Sequence, residues 1–356
     1  MKKGKLIYLL SAIFFGAMIM MASCTKEGPA GANGKDGVDG VDGEDGINGE
    51  DGTAGCIQCH DNSQVNFGKT LQWEASTHAT GGNFERNGTD CAPCHVSQGF
   101  LERMAAGSQS TAEAINNPNP PNCYTCHDIH NEYEPTDWAI SYEDAVTLWQ
   151  PAGKAEVDLG TGNLCANCHQ ARIVEPMPVP DGGNINVTSP YWGAHHGPVA
   201  NIIAGAGGYE VSGSLGYTPA SFHATNIENS CIECHLATAY GVQAGGHQMG
   251  MTYAYHGHDV INTAGCVGCH TDADALETKI EVTKTAIDDL LGELFGILTT
   301  QGVMDSTYHP IPQEMTADQA GGILNYNMAR EDKSSGIHNF TYVKALLNNS
   351  IESLED

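Results

Sequence analysis

The chain has 356 residues, of which 43 are acidic and 15 basic, giving a formal net charge of -28. That balance excludes nucleic-acid binding, which needs basic patches, and suits a soluble, self-repelling surface that meets basic partners or cations. Only 7% of residues are aromatic while 43 are glycine, so something other than side chains is expected to fill part of the interior.

Residues 1–23 carry Lys2, Lys3 and Lys5 ahead of an apolar run from Leu6 to Met21, the pattern of a secretory signal. The run is shorter than the roughly 20 residues of a membrane span. It ends in Met21-Ala22-Ser23-Cys24, which resembles a bacterial lipobox. The resemblance implies diacylation of Cys24, which becomes the new N-terminus, and Thr25 in place of Asp favours the outer membrane, facing either the periplasm or the surface. From Gly28 to Gly55 a glycine then recurs at every third position, as in a collagen helix, but Pro29 is the only proline. Residues 24–55 therefore read as a lipidated cysteine and stalk. The stalk is either a charge-stretched tether, roughly 85 Å long at full polyproline-type extension, or a short trimer.

Residues 56–272 hold six Cys-x-x-Cys-His segments separated by stretches with little periodicity, and loops are expected at 117–121, 204–216 and 241–250. From 273 the pattern changes. Leu276, Ile280, Ile287, Leu290, Leu291, Leu294 and Leu298 keep helical spacing, which predicts an amphipathic helix over 273–300. Thr316-Ala317-Asp318 opens a second helix to about 331, and a third runs from near Asn339 to about Glu355. The expected fold class is mainly α and irregular with little sheet. A C-terminal helical bundle, 273–356, completes the domain, and its long helix either packs within the subunit or forms a dimer seam.

Twelve of the 13 cysteines fall into the six pairs, which leaves only Cys24. A disulfide framework would belong to a much shorter chain with irregular spacings. Zinc ribbons use Cys-x-x-Cys but need no His after each pair, and a thioredoxin-like dithiol needs one motif in a βαβ setting. All six pairs are followed by His. This pattern resembles that of c-type cytochromes, where both sulfurs bond the haem vinyl groups and the adjacent His ligates the iron. The resemblance implies six haem c groups. Their thioethers form at Cys56, Cys59, Cys91, Cys94, Cys123, Cys126, Cys165, Cys168, Cys231, Cys234, Cys266 and Cys269. Their proximal ligands are His60, His95, His127, His169, His235 and His270.

Ten of the 16 histidines remain for the sixth coordination position, enough for complete bis-His ligation. Met104, Met249 and Met251 are the nearest thioether alternatives, and read better as packing residues. The block from Ser189 to Pro198, with His223, His247 and the stretch from Asn325 to Leu347, resembles the nitrite reductase and hydroxylamine oxidoreductase superfamily and its electron-carrying relatives. That resemblance implies His196, His223, His247 and His338 as distal ligands, with His195 the alternative to His196. His78 and His130 match other ligand contexts, and His258 is in reserve. The chain lacks the Cys-x-x-Cys-Lys segment of ammonia-forming nitrite reductases. Filled bis-His irons suit electron transfer and leave no catalytic position, so a carrier is expected, partnered by redox proteins with basic docking surfaces. The alternative is a reductase of a small nitrogen or sulfur oxyanion with one open haem, its pocket lined by His256, His258 and His309.

Overall fold

The computed structural model describes residues 64–130, 138–151 and 155–355, all within one compact unit that runs from Gly52 to Asp356. The expected signal segment, lipidated Cys24, glycine-triplet stalk and first motif (Cys56, Cys59, His60) lie outside the described residues.

The N-terminal part is built from short elements. Helix α1 (Gln64–Glu74) precedes a one-turn helix at Thr77–Thr80 that carries His78 and is capped by the Ser76 hydroxyl. Helix α2 (Ser97–Ala106) follows the Cys91–His95 motif directly and stops where Gly107 takes left-handed backbone. Strands β1 (Val146–Thr147) and β2 (Glu156–Val157) pair antiparallel. They close a small apolar cluster of Leu148, Leu159, Ala166, Ala200 and Ile203, to which helix α3 (Val199–Ala204) contributes. Strand β3 (Ile185–Val187) pairs with the distant β6 (Gln313–Met315), and β4 (Thr252–Tyr255) forms a hairpin with β5 (His258–Ile261).

The C-terminal third supplies the main core. Asp272 caps helix α4 (Ala273–Thr300) by accepting the Ala275 amide, and the helix buries Leu276, Ile287, Leu294 and Leu298. Each such side chain contributes about 1.5–3 kcal/mol on leaving water. Helix α5 (Ala317–Asp332) begins with a reciprocal capping box between Thr316 and Gln319 and is buried along nearly its whole length. Helix α6 (Phe340–Glu355) packs on both α4 and α5. The three helices match the expected ranges, and α4 turns its apolar stripe into its own subunit.

This bundle is stitched to the region of the Cys-x-x-Cys-His motifs by buried amides. Asn325 on α5 accepts from the Tyr209 amide at 2.8 Å and donates to the Tyr209 carbonyl and the Ser350 hydroxyl. Asn339 donates to the Ile202 carbonyl at 3.0 Å. A buried amide satisfied on both sides fixes register, because shifting it would leave polar atoms unpaired. Asn339 follows His338, so the same bond positions that histidine.

Candidate functional site

Cys-x-x-Cys-His puts its first Cys, second Cys and His at i, i+3 and i+4, which share a face only if the segment is helical. It is. The His95, His127, His169 and His270 amides bond to the carbonyls of Cys91, Cys123, Cys165 and Cys266 at 2.8–3.1 Å, and Cys231–His235 is itself a helical turn. In each of these five motifs both thiols and the imidazole therefore project to one side.

The structure then brings a second histidine, remote in sequence, opposite four of these imidazoles. Ring centroids lie 6.0 Å apart for His78 and His169, 6.1 Å for His95 and His195, and 6.3 Å for both His127–His247 and His235–His338. The fifth motif histidine, His270, has His223 as its electrostatic neighbour, and His223 hydrogen-bonds the backbone at Ile337. Among the described residues no three His, Cys, Asp or Glu side chains converge to hold a metal ion without a further group.

These separations fit an iron between the rings. With metal–nitrogen bonds of about 2 Å and about 1.1 Å from nitrogen to ring centre, two imidazoles on opposite faces of one metal sit about 6 Å apart. The ring orientation agrees. Nδ1 of His127 and of His235 donates to the carbonyls of Trp138 (2.9 Å) and Met249 (2.8 Å), because a carbonyl can only accept. That fixes the tautomer and presents the Nε2 lone pair to a metal. For His338, Nδ1 faces the buried carboxylate of Asp332 at 2.7 Å.

Burial keeps most of these rings neutral, the state a ligand requires. Desolvation, reinforced by the nearby His78, His235, His338 and His95, pushes His169 down to about 4. Desolvation and then His196 and Arg172 push His195 to about 4. His78, His95, His223, His235 and His247 are lowered for the same first reason. His338 departs from the pattern. Burial alone would depress it, but the charge and hydrogen bond of Asp332 hold it above its ordinary value.

The motifs also touch one another. Arg103, buried on α2, donates to the Asn167 carbonyl at 2.8 Å and its side-chain oxygen at 3.2 Å, and lies 3.9 Å from Cys94 Sγ. Thr125 bonds Ser97 at 2.8 Å, and Thr161 bonds Asn229 at 2.9 Å. Cys94 is drawn down to about 7, first by a hydrogen bond with Cys168 and against burial; Cys165 is lowered by its neighbour Cys231. Two glycines permit these approaches. Gly265 runs so close to the Glu233 carbonyl that a Cβ would lie 2.2 Å from it, and Gly197, at φ 74°, passes within 3.3 Å of His169 Nδ1 by the same measure.

The expected distal residue His196 points largely to solvent. Its side chain is 70% exposed and its Nδ1 bonds Glu331 at 2.5 Å, while its neighbour His195 turns toward His95. His130 has left-handed backbone, φ 60°. His256 and His258 sit at the exposed tip of the β4–β5 hairpin, whereas His309 bonds Thr307 and meets Tyr191 edge-on.

Among solved structures the chain resembles the crystal structure of the outer cell wall cytochrome OcwA, with a TM-score of 0.51 and 18% identity over 80% of this chain. The fold is that of a multihaem cytochrome. The chain spans about half the length of that protein, 50% of it being covered. No protein-family profile and no curated protein sequence matches. Among the described residues no helix is long and apolar enough to cross a membrane.

Sequence reasoning missed the carboxylates. Glu331 and Asp332 close α5, where the negative end of the helix dipole disfavours acids. Two acids in that position are the signal that could have marked them as held there for another purpose.

Proposed function

We propose that this chain is an electron-carrying c-type cytochrome of the cell envelope, holding six haem c groups of which at least five have two histidine ligands. The observation that carries the reading is the set of four motif histidines, each facing a remote histidine at 6.0–6.3 Å. The proposed ligand pairs are His95–His195, His127–His247, His169–His78, His235–His338 and His270–His223. His195 thus replaces His196. His130 is assigned to the iron of the Cys56-Cys59-His60 motif.

When bound, each haem supplies a one-electron couple. The protein contributes two neutral imidazoles that fill the iron's coordination sphere, fixed Nδ1 partners that orient them, and motif-to-motif contacts that hold neighbouring groups close. A filled coordination sphere passes electrons and excludes inner-sphere substrates, which favours a carrier over an oxyanion reductase. The reading also includes Cys24 as a lipid anchor in the outer membrane and residues 24–55 as its stalk. Basic redox partners would bind the acidic surface less tightly as salt rises. The cell-wall origin in the OcwA description supports an envelope location.

The test is haem quantitation together with spin-state spectroscopy of the purified resting protein. Six haems per chain, all low-spin, is the expected result. A stoichiometric high-spin ferric signal would sink the carrier reading in favour of a reductase with one open iron.

A further inference from the structure

The chain is strongly acidic, yet its arginines and one buried carboxylate that meets no lysine or arginine lie at different motifs. Arg86, Arg103, Arg172 and Arg330 are its only arginines. Arg103 lies against Cys94, and Arg86 and Arg172 both act on His95 and His195. Three of the four therefore surround the Cys91–His95 motif.

The opposite charge lies at Cys231–His235. Glu331 and Asp332 are the buried acids among the described residues. Glu331 is paired with Arg330 at 2.7 Å and also bonds His196 at 2.5 Å. Asp332 has no lysine or arginine in ion-pair contact: its side chain is 0% exposed, and its partners are the Ser334 hydroxyl and Nδ1 of His338, a ring that as an iron ligand would carry no charge of its own. A buried carboxylate without a cation is costly. A neutral imidazole does not cancel its charge, but a ferric iron on the far side of that imidazole does. The corresponding Nδ1 atoms of His127 and His235 meet only neutral carbonyls. The two oppositely charged motifs are joined through a third, since Cys231 lies beside Gly162 and Cys165, and Arg103 ties Cys94 to Asn167.

We propose that this charge sorting builds a potential gradient. The Asp332 carboxylate, acting through His338, makes the Cys231–His235 site the electron-losing end, and the arginines make the Cys91–His95 site the electron-gaining end. Asp332 is a positioning residue: it also fixes the plane of the His338 ring. The step is a one-electron exchange. Ferrous iron at the first site becomes ferric, ferric iron at the last becomes ferrous, and the electron passes by way of the Cys165–His169 site with no proton moving. The electrons are supplied by an external redox protein.

This inference rests on the bis-His reading, and one experiment separates the two. The ligand planes cross at 85° in His95–His195 and at 37° in His235–His338. Crossed planes give a highly anisotropic low-spin EPR signal, near-parallel planes a rhombic one. Redox titration of the holoprotein followed by EPR therefore separates the near-parallel pairs, His235–His338 and His127–His247 (27°), from the crossed ones, His95–His195 and His78–His169 (78°). In Asp332→Asn one rhombic component is expected to lose about tenfold in its preference for the ferric state, an upward shift of about 59 mV for one electron. Asp332→Glu, which keeps the charge, restores most of it. Arg172→Gln, on an exposed residue, shifts an anisotropic component downward and leaves the rhombic ones in place. Midpoints unmoved in all three variants, or moved equally at every site, would overturn the gradient while leaving low-spin spectra intact. Absence of low-spin signals in the unaltered protein would instead refute the ligand reading beneath it.

Discussion

Replacing His195 and His196 one at a time gives the sharpest check on the ligand pairs. The two are adjacent in sequence but differ in setting. His195 faces His95 with centroids 6.1 Å apart, whereas His196 is 70% exposed and bonded to Glu331. In His195→Ala the nearest substitute ring is His196, whose centroid is 5.2 Å from that of His195. To ligate, it would have to cross that distance and abandon Glu331, so one iron in six is expected to become high-spin. In His196→Ala one contact to Glu331 is lost, Glu331 keeps Arg330 at 2.7 Å, and every iron stays low-spin. His195→Met keeps six ligands but raises the midpoint of that one site, as thioether ligation does. Ferric spin quantitation by EPR, with resonance Raman as a second probe, reads all three variants. A high-spin signal from His196→Ala, with His195→Ala unchanged, would refute the assignment.

Three further outcomes follow from packing and charge. Gly321→Ala on α5 should destabilise the bundle by about 1–3 kcal/mol despite the better helix propensity of Ala, because the new methyl would lie 2.0 Å from the buried Tyr209 ring; thermal melts of the holoprotein measure it. Arg103→Ala should cost about 3 kcal/mol, since it removes two charged hydrogen bonds to Asn167 and a cation–π contact 4.7 Å above Trp149; denaturant titration gives the value. Glu352 is held below its ordinary value by hydrogen bonds from the Ser214 side chain and amide. Its stabilising effect is therefore present above the 4.5 of a free glutamate and is lost as pH falls through its lower folded value. The stability gap between the unaltered protein and Glu352→Gln should narrow on acidification, and a constant gap would contradict the sign.

The C-terminal bundle was legible because α4 and α6 bury one face each, which leaves a 3.6-residue stripe in the sequence. The one-face geometry of each motif was legible for a similar reason, since Cys, Cys and His fall at i, i+3 and i+4. Other features leave no local trace. Helix α1 buries none of its residues and so has no stripe to read. His196 is held by Glu331, 135 residues away on α5, while His195 turns toward His95, and neither orientation can be read from the local sequence. Asp332 lay inside the stretch whose resemblance pointed to His338, but its burial with no lysine or arginine beside it emerges only from the fold.

The location of the apolar core bears on how such a chain matures. The large cluster is drawn from Val174 onward, with α4, α5 and α6 supplying most of it. The Cys91 and Cys123 motifs precede all of it. A polypeptide emerging N-terminus first therefore presents these thiols before the residues that pack around them exist. The large apolar core is thus completed only when the last helices are made, after both early motifs have emerged.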